Sequence, residues 1–281
     1  MWTVERGRGL VELTRPVNSI AAGVLTFIGS FVAAERGFAV GAVAAAVGAT
    51  ILATAAGNAI NDYFDREIDR INNPERPIPR GAVSPRACLY FSIGLFLAAV
   101  VLALALLPPL AIAIAVVNLL ALITYTELFK GLPGVGNALV AYLGGSTFLF
   151  GGAAVENIEP TVVLFVLAAL STLAREIIKD VEDVAGDREE GLNTLPIAVG
   201  EGRALQLAAG MLAIAAAASP VPYLTATFGL PYLLVVLPAD AIMLYAGYEG
   251  FSDPTAGQSH LKYGMFLAAL AFIVGRATTL A

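Results

Sequence analysis

Apolar segments of about 20 residues, the length that crosses a bilayer as an α-helix, recur along almost the whole chain and constrain its fold most. Of the 281 residues, 58% are hydrophobic and only 14% are charged. A water-soluble domain usually carries roughly 25% charged residues. The sequence therefore predicts an all-α fold and a polytopic membrane protein.

Prolines and glycines between the apolar segments mark short turns, such as Pro108-Pro109 and Gly131 to Gly134. Because the connections are short, we expect neighbouring helices to form antiparallel hairpins, and all of residues 1–281 to form a single transmembrane domain with one bundle. The nine predicted transmembrane helices are 17–34, 39–63, 87–107, 110–128, 136–153, 161–179, 204–222, 229–248 and 262–280.

Two acid-rich motifs lie at the ends of apolar segments, where carboxylates are costly. The first motif is residues 61–69, and the second motif is residues 179–187. On a helix, Asn58, Asn61, Asp65 and Asp69 fall within about 100° of one another, with Asp62 to one flank. Asp180, Asp183 and Asp187 fall within roughly 60°. Each motif therefore predicts a row of carboxylates along one side of a helix.

Positive charge is concentrated on alternate connections between the predicted helices. Fourteen of the sixteen Lys and Arg residues fall on one side of the predicted bundle, and only Arg36 and Arg276 fall on the other. Cytoplasmic loops of membrane proteins carry an excess of Lys and Arg. We therefore expect a cell-membrane protein with its N-terminus and both acidic motifs on the cytoplasmic side and its C-terminus outside.

Repulsion among so many carboxylates would be strong unless cations lay between them. Mg²⁺ prefers oxygen ligands and commonly combines one or two carboxylates with substrate phosphates, so a metal-bound diphosphate is the predicted occupant. An apolar tail on that diphosphate would lie among the helices. If the tail is allylic, departure of diphosphate leaves a stabilised carbocation. The basic residues that could complement the diphosphate are Arg66, Arg70, Lys130, Arg175 and Lys179.

Other functions would leave different traces in the sequence. A single acidic cluster is ordinarily explained as a solvated helix end whose charges form ion pairs beside the membrane. Two clusters of matching spacing on the same membrane face make that explanation less favoured. A cation-coupled transporter is the alternative of another class, although transport sites usually lie near the bilayer midplane. No basic stripe with interleaved aromatics indicates nucleic-acid binding, and the single cysteine, Cys88, excludes an intrachain disulfide.

Five segments resemble the UbiA superfamily of intramembrane prenyltransferases. The paired motifs match that family's two aspartate motifs, and Asn72-x-Pro74-x-Arg76-Pro77-Ile78-Pro79-x-Gly81 matches the loop after the first. Leu13 to Asn18 resembles the entry to its first helix, and Tyr125-x-x-x-Phe129-Lys130 resembles the end of its fourth. The resemblance implies nine helices around a central cavity, Mg²⁺ held by Asp62, Asp65, Asp69, Asp180, Asp183 and Asp187, and transfer of a polyprenyl group from its diphosphate.

Members of this family differ mainly in the acceptor. The segment Arg175 to Asp187, with Asn193 to Ile197 and Gly257 to Met265, is most similar to the archaeal digeranylgeranylglyceryl phosphate synthases. That similarity implies geranylgeranyl diphosphate as donor and geranylgeranylglyceryl phosphate as acceptor. Chlorophyllide or an aromatic quinone precursor remains the alternative acceptor. The residues expected to bind substrate are Asn18, Asn58, Asn61, Arg66, Arg70, Tyr125, Lys130, Arg175 and Lys179.

Overall fold

The structure is a computed structural model that describes residues 2–35, 39–124, 129, 132–189 and 191–280. Within these ranges every regular element is helical and none is a strand, which confirms the predicted all-α class. In chain order the helices are α1 (Trp2–Leu13), α2 (Pro16–Ala33), α3 (Val40–Phe64), α4 (Arg66–Asn72), α5 (Pro85–Leu106), α6 (Pro109–Thr124), α7 (Val135–Ala154), α8 (Glu159–Glu189), α9 (Leu195–Val199), α10 (Glu201–Ala218), α11 (Val221–Leu224), α12 (Leu230–Glu249) and α13 (Pro254–Leu280).

Seven helical segments of the described chain are long and apolar enough to cross a membrane, with α10 and α11 counted as one segment. The shorter helix α6 is also apolar. Two helices extend well beyond their predicted ends. Helix α8 continues to Glu189 instead of ending near residue 179, and α13 begins at Pro254 instead of residue 262. The chain is therefore a multi-pass membrane protein whose second acidic motif lies within a continuous helix.

The outer surface of the bundle is apolar, as a lipid-facing surface must be. On α5, Leu97, Val101 and Leu104 are 59%, 65% and 61% exposed, and they lie on one side of the helix because they are three or four residues apart. Soluble proteins rarely expose contiguous apolar patches of this kind. We conclude that this face of α5 contacts lipid.

Helices α2 and α7 approach each other closely through small residues. A Cβ atom added at Gly151 of α7 would lie 2.1 Å from the Thr26 carbonyl oxygen, and one added at Gly29 of α2 would lie 2.3 Å from the Phe148 carbonyl oxygen. Glycine at such positions lets two backbones pack without side chains between them. This contact joins α2 to α7, which also packs along α8.

A cavity of about 230 Å³ lies between helices α2, α7, α8, α10, α12 and α13. Its walls are mostly apolar, and its inner part is formed by side chains such as Leu164, Phe148 and Phe272, which belong to one buried hydrophobic cluster. Arg175, Lys262 and Asn18 also line it. The fold therefore encloses a mostly apolar space that carries cationic side chains on its wall.

Candidate active site at the two acidic motifs

The first motif spans a break between two helices. Helix α3 ends at Phe64, and α4 begins at Arg66. The hydrogen-bond pattern nevertheless continues across Asp65, because its amide nitrogen lies 2.8 Å from the Asn61 carbonyl oxygen and the Asp69 amide lies 2.9 Å from the Asp65 carbonyl oxygen. Asn61, Asp65 and Asp69 therefore keep the one-turn spacing that the sequence predicts.

Two carboxylates of the first motif are buried and paired with arginines. The Asp62 side chain is 6% exposed, and its Oδ1 lies 2.7 Å from Arg15 Nη2 and 3.5 Å from Arg76 Nη1. The Asp69 side chain is 4% exposed, and its Oδ2 lies 2.7 Å from Arg76 Nη1. Asn73 also donates to Asp69, at 3.2 Å. Cations from segments before and after the motif thus hold these carboxylates in place.

Arg15 occupies the turn between α1 and α2 with φ of +44°. A residue other than glycine rarely adopts this left-handed conformation, and strain of this kind tends to cluster at functional sites. The ion pair with Asp62 helps to hold Arg15 in that conformation. Sequence reasoning did not include Arg15 or Arg76 among the site residues, although both belong to segments that carry the family resemblance.

The proline-rich loop after α4 is packed against the bundle, which positions Arg76. Ile78 and Val83 of this loop form a buried cluster with Leu13, Ala59 and Cys88. Because these contacts come from α1, α3 and α5, the loop is held from three sides. Arg76, which directly precedes Pro77-Ile78, is thereby placed over the first motif.

An exposed ion pair also joins α1 to this loop. Arg80 Nη2 donates to Glu12 Oε2 at 2.6 Å, and Arg8 Nε donates to Glu12 Oε1 at 2.9 Å. The hydrogen bond from Arg80 is the main cause of a lowered pKa at Glu12, and Arg8 adds to it. Helix α1, which precedes the first span, therefore contacts the loop that carries Arg76 and Arg80.

The second motif has different partners. Asp180 Oδ2 accepts a hydrogen bond from Asn137 Nδ2 of α7 at 2.8 Å, and Asp187 Oδ2 accepts one from Thr194 Oγ1 at 3.0 Å. Asp183 is exposed, and among the described residues none forms a hydrogen bond or an ion pair with its side chain. Neither Asn137 nor Thr194 was predicted, although an asparagine in an otherwise apolar helix is a usable signal.

The two motifs lie on different helices that share a neighbour. Helix α7 packs against both α3 and α8. In the described part of the chain, no three His, Cys, Asp or Glu side chains converge closely enough to hold a metal ion by themselves. The six aspartates expected to hold Mg²⁺ therefore stay a prediction. This donor set fits ions that take one or two carboxylates and complete their shell with substrate phosphate oxygens.

The predicted substrate-binding residues lie in different surroundings. Arg66 Nη1 donates to the Tyr63 carbonyl at 2.7 Å, and Arg70 Nη1 pairs with Glu67 at 2.7 Å. Asn58 Nδ2 donates to the Thr14 carbonyl oxygen at 3.1 Å, so it ties α3 to the turn before α2. Lys179 is exposed. Asn61 and Asp65 also make contacts, whereas Tyr125 and Lys130 lie outside the described residues.

Asn18 and Arg175 line the cavity, and this connects the polar site with the apolar space. Arg175 is five residues before Asp180 on α8, so about 7.5 Å of helix separates the two Cα atoms along the axis. An anionic head at the motifs would therefore lie within reach of the cavity. This arrangement suits an amphiphile with an anionic head and an apolar tail.

Residues 22–270 match the profile of the UbiA prenyltransferase family. The chain belongs to this family and is a prenyltransferase embedded in a membrane, so the transporter alternative is not supported. A digeranylgeranylglyceryl phosphate synthase from Natronomonas pharaonis is 62% identical over 99% of this chain and 100% of its own length.

Solved structures agree with this assignment. A structure of digeranylgeranylglyceryl phosphate synthase in membranes has 37% sequence identity and a TM-score of 0.85, over 98% of this chain and 99% of that one. A UbiA homologue from Archaeoglobus fulgidus, bound to DMAPP and Mg²⁺, has 18% identity and a TM-score of 0.73, over 95% of this chain and 98% of that one. The second similarity shows the shared fold.

Proposed function

We propose that this enzyme transfers a geranylgeranyl group from geranylgeranyl diphosphate to geranylgeranylglyceryl phosphate and releases diphosphate. The proposal is carried by one observation: helix α8, which carries the second carboxylate row, also lines a mostly apolar cavity with Arg175. The choice of acceptor is supported by relatives named digeranylgeranylglyceryl phosphate synthase at up to 62% identity over nearly the full chain.

We infer that Mg²⁺ is the metal and that the motif aspartates hold it together with the donor's diphosphate. Carboxylates supply the oxygen ligands that Mg²⁺ prefers, and Mg²⁺ needs only one or two of them when substrate phosphates complete its shell. The shared fold with the homologue bound to DMAPP and Mg²⁺ also supports this choice. When bound, the metal neutralises charge that develops on the leaving diphosphate. The proposed ligands are Asp62, Asp65, Asp69, Asp180, Asp183 and Asp187.

The chain's own residues bind and orient both substrates in this proposal. Arg66, Arg70, Lys130 and Lys179 complement diphosphate charge near the motifs, since Arg and Lys donate charge-assisted hydrogen bonds to phosphate. Breaking the bond between C1 and the diphosphate oxygen leaves an allylic cation. The acceptor's free glycerol hydroxyl then forms an ether bond to C1 and gives up its proton to the released diphosphate or to a motif carboxylate.

The remaining proposed residues lie next to these charges. Asn18 lines the cavity and is one residue from Ser19, which lies 3.5 Å from Asn58. Asn18, Asn58, Asn61 and Tyr125 are proposed to orient the donor's head group, because amide and phenol groups hydrogen-bond to phosphate without adding charge. Of these, Asn18 lies at the start of α2, and Asn58 and Asn61 lie near the end of α3.

We propose nine membrane spans in one domain covering residues 1–281. Seven spans are supported by length and composition, and α6 and α7 supply two more apolar helices of 16 and 20 residues. The distribution of Lys and Arg supports a cytoplasmic N-terminus, cytoplasmic acidic motifs and an outer C-terminus.

A transfer assay tests this function directly. Purified protein in lipid would be given geranylgeranyl diphosphate and Mg²⁺ with geranylgeranylglyceryl phosphate, chlorophyllide or an aromatic acid in separate reactions. We expect ether product with the first acceptor only, and loss of product after chelation of divalent ions. Transfer to chlorophyllide or the aromatic acid in preference to the glyceryl phosphate would contradict the proposed acceptor.

A further inference from the structure

One face of α13 changes from polar to apolar along its length. Gln258, Lys262, Met265, Ala269 and Phe272 are three or four residues apart, so they share one side of the helix. Of these, Lys262, Met265, Ala269 and Phe272 line the cavity. A ligand along this face would meet a cation at one end and hydrocarbon at the other.

Helix α8, which packs against α13, shows the same change along the residues that line the cavity, which are Arg175, Ser171, Ala168 and Leu164. Arg175 Nη2 donates to Gln258 Oε1 at 3.0 Å, which joins the polar ends of the two faces. Because Lys262 is one turn from Gln258 on the same side of α13, Lys262 lies close to Arg175. Two cations on different helices therefore share one end of the cavity.

The positive charge at this end is only partly neutralised. Arg175 Nη1 lies 2.9 Å from Glu176 Oε1, whereas Arg175 Nε is buried and has no hydrogen-bond partner. Lys262 forms no hydrogen bond or ion pair with any residue in the described ranges. Arg175 thus has one carboxylate partner, Glu176, and Lys262 has none among the described residues, which leaves positive charge available for an anionic ligand.

Asp240 is the one acidic residue among those that line the cavity, and its Oδ1 atom is buried without a hydrogen-bond partner among the described residues. Its carboxylate accepts a hydrogen bond from Ser219, and Tyr232 Oη donates to the Ser219 carbonyl at 2.7 Å. These bonds hold Asp240 on the α10 side of the cavity. Lys262 is therefore not needed to keep Asp240 folded in place.

Both substrates of the proposed reaction are anionic amphiphiles with head groups at the same membrane boundary. Like charges repel at short range, so each head group needs its own compensating charge. The donor's diphosphate is assigned to the metal-binding aspartates on α3, α4 and α8. The acceptor's phosphate has no corresponding carboxylates on α13, and there Lys262 provides a direct cationic contact.

We propose that Lys262 and Arg175 bind the acceptor's phosphate, that Gln258 positions Arg175, and that the acceptor's prenyl chain follows the α8–α13 faces into the cavity. This inference rests on the proposed function and adds a second anion subsite to it. A lysine ammonium binds phosphate as a compact point charge, and an arginine guanidinium adds directed donors. The subsite selects acceptors that carry a phosphate over acceptors that lack one.

Equilibrium binding in lipid nanodiscs tests the subsite without turnover. The ligands are geranylgeranylglyceryl phosphate and geranylgeranylglycerol, which lacks the phosphate, measured with EDTA and without donor. We expect the unmodified protein to bind the phosphate form about tenfold more tightly or better, since a hydrogen bond to a charged group contributes that much. Lys262→Met should bring the two affinities to within about threefold.

Matched variants separate this subsite from a general charge effect. Lys262→Arg should keep the preference for phosphate, and Arg203→Met, which removes an exposed cation from α10, should leave it unchanged. Affinity for geranylgeranyl diphosphate with Mg²⁺ should be the same in Lys262→Met as in the unmodified protein. Thermal melting of each variant verifies that the bundle is folded.

Three results would overturn the inference. One is equal affinity of the unmodified protein for the two glyceryl lipids. Another is a Lys262→Met variant that keeps the preference for the phosphate form. A Lys262→Met variant that instead loses affinity for geranylgeranyl diphosphate would also overturn it, because Lys262 would then bind the donor's diphosphate. The transfer assay is read separately, because absence of prenyl transfer by the unmodified protein contradicts the proposed function, whereas the ratio of binding affinities reports on the subsite alone.

Discussion

The two acidic motifs share a spacing but differ in what surrounds their carboxylates. In the first motif, Asp62 and Asp69 are buried and paired with arginines at 2.7 Å. In the second motif, Asp180 is bonded to the neutral amide of Asn137, and Asp183 is exposed. Carboxylates of the first motif therefore form ion pairs with arginines, whereas Asp180 and Asp183 of the second form no ion pair with a described residue.

This difference suggests a division of roles. The first motif depends on contacts with α1, the turn before α2 and the proline-rich loop. Substitutions that remove these contacts should therefore lower the stability of the protein as well as its activity. The second motif lies on one continuous helix and depends less on such contacts. Asp183, whose exposed carboxylate forms no ion pair with a described residue, is better suited to binding an added cation.

The largest expected effect is on activity, from Asp183→Ala. We expect prenyl transfer to fall by at least about 100-fold, as when one preorganised electrostatic contact is removed from an active site. The melting temperature without substrate should stay within about 1 °C, because exposed side chains contribute little to folding. Glu189→Ala, at the exposed end of the same helix, should retain normal transfer. Near-normal transfer by Asp183→Ala would remove the metal-binding assignment.

The next largest effect is on the stability of the first motif. Arg76→Ala leaves the buried Asp69 carboxylate without its cation and weakens the pairing of Asp62. Breaking a buried ion pair costs roughly 3–5 kcal/mol, and because Arg76 is 31% exposed we expect about 2 kcal/mol of unfolding free energy. Chemical unfolding in detergent would measure it, with the exposed Arg86→Ala as control. Equal stability of the two variants would show that these ion pairs contribute nothing.

A smaller effect is expected from Asn137→Ala on the second motif. Asp180 would lose its amide donor, which costs about 1–2 kcal/mol of unfolding free energy for a hydrogen bond to a charged group. Asn118→Ala is the matched control, because Asn118 Oδ1 is buried without a hydrogen-bond partner and its removal should cost less. If Asn118→Ala proved the more destabilising of the two, the importance of the α7–α8 hydrogen bond would be refuted.

The smallest effect concerns pH and the contact of α1 with the loop. Since Arg80 and Arg8 lower the pKa of Glu12 below its ordinary value of 4.5, the charged pair stabilises the protein above that value. The contribution is lost as the pH falls through the lowered pKa. Glu12→Gln should therefore be less stable than the unmodified protein at pH 7 by under about 1 kcal/mol. The difference in unfolding free energy between the two proteins should vanish in acid. A difference that grew in acid would contradict the predicted direction of the pH dependence.

Much of the site could be predicted because helical spacing is a local property. The one-turn spacing of Asn61, Asp65 and Asp69 follows from their positions in the chain, even where α3 gives way to α4. The ends of α8 and α13 were placed too close to the apolar cores, because polar helical turns beyond the membrane resemble loops in a hydropathy pattern. The cytoplasmic orientation and the roles of Tyr125 and Lys130 stay predictions.

The partners of the carboxylates could not be predicted in the same way. Arg15 is 47 residues from Asp62 in the chain, and Asn137 is 43 residues from Asp180. No periodic pattern links residues so far apart, since their contact depends on how separate helices pack. The same limit applies to Gln258, which meets Arg175 across 83 residues.

The sequence by itself determined the all-helical, multi-pass class, the helical spacing of the two acidic motifs and the family, because apolar length, helical period and motif spacing are local properties of the chain. Only the tertiary structure decided which carboxylates pair with arginines, which accept hydrogen bonds from neutral groups, and which cations line the cavity. Those outcomes depend on the packing of α1, α7, α13 and the proline-rich loop around the motifs. Whether a carboxylate is paired with a cation depends on which side chains lie next to it in space, and the fold sets those neighbours.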